Sequence, residues 1–154
     1  MRLPHRVVSG GQTGVDRAAL DVAIALGIAH GGWCPRGRRA EDGTIPARYT
    51  LSEHASTEYA ARTEANVVDS DGTLILCRGE MSGGTALTRE LAARHGKPLL
   101  VVDLARDPDA DAVRRWLSDN HVDVLNVAGP RESQRPGIGA RVHAFLLAAL
   151  SPVR

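Results

Sequence analysis

The chain has 154 residues, of which 43% are hydrophobic and 24% charged, so it is long enough for one globular domain and short for two. Its 19 Lys and Arg residues against 18 Asp and Glu residues give a net charge of +1, which excludes an overall field for sequence-independent nucleic-acid binding. With only two Trp, two Tyr and one Phe to stack on bases, we expect a single domain over residues 1–154 that binds no nucleic acid.

Cysteine usage and hydropathy indicate the compartment. Cys34 and Cys77 match no zinc-binding spacing, and the first residues lack the apolar segment of a secretory signal. No run of 18 apolar residues is present, so no membrane segment is predicted. The six histidines form no His-x-x-x-His pair, and we expect no metal site built by protein side chains alone. These features predict a cytoplasmic protein, because free thiols are typical of reducing compartments.

Short apolar runs alternate with amphipathic patterns along the whole chain. Strands are predicted at residues 6–9, 30–33, 73–77, 98–103 and 123–127, and helices at 15–27, 57–68, 84–95, 108–119 and 138–150. This alternation is typical of βαβ units and predicts an α/β fold, a mainly parallel sheet with helices on both faces. The uninterrupted apolar runs 74–76 and 99–102 predict two strands buried on both faces at the centre of that sheet.

The loop after the first predicted strand is Gly10-Gly11-Gln12-Thr13-Gly14. Glycines permit positive φ and close backbone approach, and the helix that follows offers free N–H groups to an anion. The loop therefore predicts a phosphate cradle, although its spacing is neither a dinucleotide fingerprint nor a P-loop. The alternative is a tight turn in which Thr13 and Asp16 form a capping box.

A second glycine loop, Ser82-Gly83-Gly84-Thr85, precedes another predicted helix. Loops that follow parallel strands leave the same edge of a sheet, where ligands bind. Two such loops on adjacent central strands would bracket one crevice with two helix N-termini, which predicts a site for a phosphate-bearing small molecule. The pair predicts that Gly11→Val or Gly84→Val weakens anion binding and leaves the fold intact. Two purely structural turns are the alternative.

The predicted helix 57–68 carries an unusually polar face. The polar residues recur at helical spacing: Tyr59, Arg62, Thr63 and Asn66. In one interpretation this face points into the crevice, with Arg62 and Asn66 as ligand contacts. In the other it is solvated, with Val68 turned to the core. Residues 69–72 then predict a turn with Asx hydrogen bonds and Gly72 at positive φ, in which Asp71 is a weaker functional candidate.

Arginines are concentrated in the loop after the predicted strand 30–33. Arg36 and Arg38 suit forked contacts with phosphate or an oxyanion such as molybdate, whereas a solvated charge run is the alternative. Arg131, in the loop after the strand at 123–127, is a further candidate contact. Cys34 is a candidate contact to molybdenum as a thiolate, or else a small buried residue. Cys77 is expected in the core.

Several long segments resemble, in order, the molybdenum carrier (molybdenum cofactor carrier) family. The segments are residues 10–21, 32–46, 62–67, 69–75 and 126–133. The likeness spans nearly the whole chain, and motifs of this length are specific. It implies a Rossmann-like domain that forms homodimers or homotetramers and holds the molybdenum cofactor (molybdopterin), a pterin dithiolene with a terminal phosphate.

The wider superfamily implied by this resemblance contains the Lonely Guy and lysine-decarboxylase-like proteins. Lonely Guy phosphoribohydrolases cleave the N-glycosidic bond of a nucleoside monophosphate with a P-G-G-x-G-T-x-x-E motif. Residues 82–90 keep the paired glycines and place Glu90 at the equivalent spacing, but Ser82 replaces the Pro and Ala86-Leu87 stands where Gly-Thr would. Glu90 is thus the candidate catalytic carboxylate, with a polar helix residue as the alternative.

Two hypotheses of different class follow. The first is a carrier without turnover, whose cargo passes to molybdoenzymes. The expected backbone and polar contacts to phosphate and pterin are Gly10, Gly11, Gln12, Thr13, Gly14, Asn66, Ser82, Gly83, Gly84 and Thr85, with Arg36, Arg38, Arg62 and Arg131 balancing charge. The second is a nucleotide-processing enzyme of phosphoribohydrolase type that needs Glu90, or else a module that binds nucleotide derivatives.

Overall fold

The structure is a computed structural model that describes residues 3–152. In chain order its elements are β1 (Arg6–Val8), α1 (Val15–Leu26), β2 (Ala29–Gly31), β3 (Trp33–Cys34), β4 (Arg39–Ala40), β5 (Gly43–Thr44), β6 (Ser52–Glu53), α2 (Tyr59–Val68), β7 (Gly72–Cys77), α3 (Gly83–Arg94), β8 (Leu99–Asp103), α4 (Ala110–Asp119), β9 (Val124–Ala128) and α5 (Ile138–Leu150). The five helices are those predicted, with ends shifted by no more than two residues. No helix in this range is long and apolar enough to span a membrane.

Five strands form one parallel sheet in the order β2-β1-β9-β7-β8. Helices α1, α4 and α5 cover one face, where their apolar side chains pack with those of the sheet in the main core. Helices α2 and α3 cover the other face around Val67, Leu91 and Ala92. The prediction of an α/β, Rossmann-like fold is confirmed.

Helix α1 shows why the local sequence folds as it does. Val15, Ala19 and Val22 recur at helical spacing and are fully buried against the sheet and α5. Burying a side chain of the size of Val contributes about 1.5–3 kcal/mol, so this stripe fixes the helix in place. Gly27 ends the helix in a left-handed conformation, and its N–H donates back to the carbonyl of Ala23.

Strand β8 lies at the edge of the sheet, so its predicted central position is wrong. Leu100 and Val102 pack against the main core and Leu99 against the α3 side, whereas Val101 is 37% exposed. A strand at the edge of the sheet, when helices cover both of its faces, therefore shows the same run of apolar residues as a central strand. The two glycine loops are not on adjacent strands either, because β9 lies between β1 and β7.

The segment after β2 departs from the sheet. Gly32 (φ 122°) passes so close to Ser9 that a Cβ there would lie 2.3 Å from the Ser9 carbonyl oxygen, and it divides the predicted strand 30–33 into β2 and β3. Strand β3 then pairs with β6, outside the five-stranded sheet. Residues 35–51, between β3 and β6, form the long loop, and beneath it lies a second core of Leu20, Cys34, Ile45 and Tyr49.

The turn before β7 is structural. Asp71 accepts hydrogen bonds from the N–H groups of Asp123 (3.1 Å) and Val124 (2.8 Å), which joins the amino ends of β7 and β9. The predicted positive φ of Gly72 is wrong, because this glycine is a residue of β7. A Cβ at Gly72 would lie 3.0 Å from side-chain atoms of both Trp116 and Val122. Asp71 is thus at the sheet edge opposite the glycine loops.

Candidate functional site

A pocket of about 200 Å³ opens at the carboxyl edge of the sheet. One wall is α2, through Tyr59, Arg62 and Thr63, and the facing wall is α3, through Gly84 and Thr85. The end of β9 and the loop after it, together with the first glycine loop, complete the lining. Strands β1, β7 and β9 therefore all deliver residues to one crevice, as expected for a parallel sheet.

Most N–H groups of the first glycine loop are engaged within the protein. Gln12 N–H donates to Asp16 Oδ2 (3.2 Å), and Thr13 N–H donates to Gln12 Oε1 (3.1 Å). Val15 N–H, at the start of α1, donates to the Pro130 carbonyl (3.3 Å). The Asp16 carboxylate therefore lies where the predicted phosphate cradle would bind an anion, and it accepts from the Gln12 N–H group that the prediction assigned to a ligand.

The glycines of this loop serve close packing. Gly11 has φ 78°, and a Cβ on it would lie 2.6 Å from Leu51 Cδ1. A Cβ on Gly14 (φ 79°) would lie 2.6 Å from the Pro130 carbonyl oxygen, and one on Gly10 would collide with the guanidinium of Arg62. Glycine is thus required here by conformation and by space.

The predicted capping box is wrong. Gly14 is the N-cap residue of α1, and no side chain caps the helix. The Thr13 hydroxyl instead donates to the carboxylate of Glu41 and accepts from Glu132 N–H (3.3 Å). The Glu132 N–H group thus takes the acceptor position that a capping hydroxyl would offer to the first turn of α1.

Asp16 is the buried carboxylate of the pocket wall, with a side chain only 7% exposed. Burial raises its pKa to about 6, although Arg62 and the backbone N–H groups of Gln12 and Gly10 stabilise the charged form. Sequence reasoning missed Asp16 as a site residue and considered it only as a helix cap. Its position in the first turn after a glycine loop, inside the first motif of the resemblance, was the available signal.

Arg62 lies in the pocket wall, as one interpretation of the polar helix face predicted. Its Nη1 is 3.7 Å from Asp16 Oδ2, and its guanidinium carbon is 5.6 Å from the Tyr59 ring centroid. The guanidinium makes no hydrogen bond within residues 3–152, and Nε is fully buried without a partner. Val68, which the alternative interpretation turned to the core, is 42% exposed.

Gln12 presents a donor of fixed orientation to the pocket. Its Oε1 accepts from the N–H groups of Thr13 (3.1 Å) and Glu41 (2.8 Å). Because both partners are donors, they fix the orientation of the amide, with the oxygen toward them. Its Nε2 has no hydrogen-bond partner in the described part of the chain, although Gln12 is only 7% exposed. The NH₂ group therefore retains its capacity to donate to a bound ligand.

The N-terminus of α3 is open toward the pocket. Ser82 is the N-cap residue and makes no side-chain cap bond, and the N–H groups of Gly83 and Gly84 have no partner among the described residues. Thr85 is only 6% exposed, and its hydroxyl, which lines the pocket, has no hydrogen-bond partner in the same range. With Arg131 on the facing loop, this end favours an anion.

Two predicted contacts have partners within the protein. Arg38 donates to the carbonyl groups of Pro46 (2.9 Å) and Tyr49 (2.8 Å) and so folds the long loop onto itself. Asn66 accepts from Trp33 N–H (2.7 Å) and donates to the Trp33 carbonyl (3.0 Å), which ties β3 to α2. The structure therefore gives both side chains a role in holding the backbone.

Three further candidates lie outside the pocket. Arg36 is exposed on the long loop. Cys34 is fully buried in the second core, where burial raises the pKa of its thiol, so it stays a protonated, inaccessible core residue. Glu90 is on the outer side of α3 with a 64% exposed side chain, and it pairs with Arg94. Cys77 is buried at the end of β7, in agreement with its expected place in the core.

No group of three or more His, Cys, Asp or Glu residues in the described range is arranged to hold a metal ion.

Comparison with known proteins identifies the family to which the chain belongs. A crystal structure at 1.45 Å resolution of a protein named Putative molybdenum carrier protein, from Syntrophus aciditrophicus SB, superposes with a TM-score of 0.93. The two sequences are 45% identical, and the match covers 97% of this chain and 96% of that one, which confirms the resemblance. No curated protein matches the sequence. The model of the circularly permutated YpsA SLOG family matches residues 7–150, and the chain belongs to that family.

Proposed function

We propose that this protein is a carrier that binds the molybdenum cofactor in the pocket between α2 and α3 and releases it unchanged. The observation that carries the proposal is the open N-terminus of α3, where the N–H groups of Gly83 and Gly84 and the Thr85 hydroxyl have no partner in residues 3–152. These donors, with Arg131, suit a terminal phosphate. The name of the related protein supports a molybdenum carrier role.

The rest of the pocket fits the organic part of such a cargo. Gln12 offers an NH₂ donor, Arg62 a guanidinium and Asp16 a carboxylate, all beside the crevice. Both cysteines are buried, so we expect the protein to hold its cargo through phosphate and ring rather than through a protein thiolate. Self-association, molybdoenzymes as recipients and a cytoplasmic location stay predictions from the sequence.

A nucleotide-processing enzyme is the second candidate function, and one observation favours it. Asp16 is a buried pocket carboxylate whose raised pKa of about 6 suits general acid or base work near neutral pH. In such an enzyme Asp16 would take the role that the sequence assigned to Glu90, because Glu90 faces solvent on the other side of α3.

The test is anaerobic binding of released molybdenum cofactor to the full chain, alongside AMP, GMP and ADP-ribose in the same buffer, with product analysis of each mixture. We expect saturable binding of the cofactor and recovery of every ligand intact. Release of free base from a nucleotide would favour the enzyme. Absence of binding by all four ligands would contradict both candidate functions.

A further inference from the structure

Two groups of opposite hydrogen-bonding character lie side by side in the pocket wall. The Asp16 carboxylate only accepts, and the Arg62 guanidinium only donates. Their nearest atoms are 3.7 Å apart, so they form an ion pair without a hydrogen bond, and the hydrogen-bonding positions of each group are not filled by the other. Both groups border the pocket.

Each of the two groups keeps unused capacity. A carboxylate offers about four acceptor positions, and the backbone N–H groups of Gln12 and Gly10 are the donors that stabilise the charge of Asp16. Arg62 has no hydrogen-bond partner in residues 3–152 for any of its N–H groups, although its guanidinium lies against Gly10 and the Tyr59 ring and forms the ion pair with Asp16. A ligand edge that offers N–H donors next to a carbonyl acceptor would engage both.

We propose that Asp16 and Arg62 recognise the edge of a 2-aminopyrimidin-4-one ring, the ring system shared by guanine and the pterins. Asp16 accepts from the ring N–H and the adjacent amino group, and Arg62 donates to the neighbouring ring carbonyl. A carboxylate matches two adjacent N–H donors in the way it matches the fork of an arginine. This inference rests on the proposed function, because it assigns the ring end of the same ligand.

The arrangement discriminates between rings. Hypoxanthine lacks the amino group and leaves one acceptor position of Asp16 unfilled. Xanthine places a second carbonyl oxygen against the carboxylate, where two acceptors repel. Asp16 has a pKa of about 6, so at pH 7.5 it is mainly ionised and in the form that accepts.

The first test is calorimetric binding of GMP, IMP and XMP to the full chain at pH 7.5. These nucleotides share ribose and phosphate and differ only at ring position 2, which carries an amino group, a hydrogen or an oxygen. We expect GMP to bind about tenfold to a hundredfold tighter than IMP, and XMP to bind most weakly. A parallel pair, neopterin monophosphate and its 2-oxo analogue, separates pterin from guanine as the source of the ring.

The outcomes separate this inference from the proposed function. Equal affinities within both series would overturn the reading of the ring edge and leave a carrier that recognises phosphate. A preference for the amino compound in either series supports the inference and identifies the ring. Loss of all binding, including that of the cofactor, would overturn the proposed function itself.

Asp16→Asn provides the matched variant, because the asparagine oxygen can still accept from Gln12 N–H while its NH₂ group donates to the ligand. We expect the order to invert, with XMP bound more tightly than GMP. Asp42→Asn, on the long loop outside the pocket lining, is the control and should keep the wild-type order. If Asp16→Asn fails to fold by circular dichroism, the ligand series on the unmodified chain decides alone.

Discussion

The buried carboxylate of Asp16 has the largest consequence of any single residue in the pocket wall. Asp16 is in the first turn of α1, where the helix dipole favours an anion, yet loss of water raises its pKa to about 6. The sequence shows an acidic residue at a helix start, which is compatible with a cap on the surface. It cannot show that Arg62 and the glycine loop close over that residue, because burial depends on residues far along the chain.

The raised pKa predicts a stability profile with a definite sign. The folded state binds the Asp16 proton more strongly than the unfolded state, whose pKa is near 3.8. This contribution is fully present well below pH 3.8, and the free energy of unfolding then falls by about 3 kcal/mol in total as pH rises through the folded pKa of about 6. Urea unfolding at pH 4, 5, 6 and 7 measures this decline. Asp16→Asn should lack it, and superimposable profiles of the two proteins would contradict the assignment.

The phosphate end of the pocket gives a second prediction at this scale. Thr85→Val removes a hydroxyl and keeps the shape, and Arg131→Ala removes a charge from the pocket lining. Each should weaken binding of GMP or the cofactor about tenfold to 150-fold, since a hydrogen bond to a charged group contributes roughly 1.5–3 kcal/mol. Arg89→Ala, an exposed arginine of α3 outside the lining, is the control. A loss in the control equal to that of Arg131→Ala would indicate general charge attraction instead of a site.

At the scale of elements, two loops of similar sequence have different uses. Both are glycine pairs before a helix, and the sequence therefore predicted two phosphate cradles. The structure engages the N–H groups of Gln12 and Thr13 within the first loop and leaves those of Gly83 and Gly84 open in the second. The difference arises from an acceptor, since Asp16 follows the first loop and the second loop has no acidic residue in the first turn of its helix.

This difference between the two loops changes the prediction for Gly11→Val and leaves the prediction for Gly84→Val as it was. Gly11→Val introduces a Cβ 2.6 Å from Leu51 at a positive φ, so we expect marked loss of stability rather than an intact fold. Gly84→Val places its side chain in open space, with no atom within 4 Å of the Cβ, and should keep the melting temperature while it blocks the α3 N-terminus. Thermal unfolding and GMP titration of both variants measure the contrast. Equal melting temperatures would contradict it.

Asn66 tests whether a polar side chain near the site supports structure or binds ligand. Asn66→Ala leaves the N–H and carbonyl groups of Trp33 without their partners, which should lower the free energy of unfolding by about 1–3 kcal/mol. Ligand affinity should change little once the folded fraction is taken into account. Reduced affinity with unchanged stability would instead make Asn66 a ligand contact, as the sequence predicted.

For the whole molecule, periodicity predicted the class of fold and the approximate bounds of every helix, because helical and strand spacing are local properties. Strand order is not local, and the apolar run of β8 gave the same signal at the edge as at the centre. The pocket was the hardest feature to predict from the sequence. Gln12, Arg62, Thr85 and Arg131 lie far apart along the chain and come together only in the folded protein. The sequence named these four residues as candidate contacts and did not name Asp16, which lines the same pocket.

The hydrogen bond between Gln12 and Glu41 predicts that ligand binding is coupled to local opening of the long loop. Its carbonyl oxygen accepts from Glu41 N–H, and the Glu41 carboxylate also accepts from the hydroxyl groups of Thr13 and Ser133. A ligand that takes the Gln12 NH₂ group binds only the closed arrangement, so its binding energy suppresses opening of residues 38–45. Amide hydrogen exchange there should slow in saturating GMP while exchange in β8 is unchanged. Uniform protection of both segments, or of neither, would show that the loop and the pocket act independently.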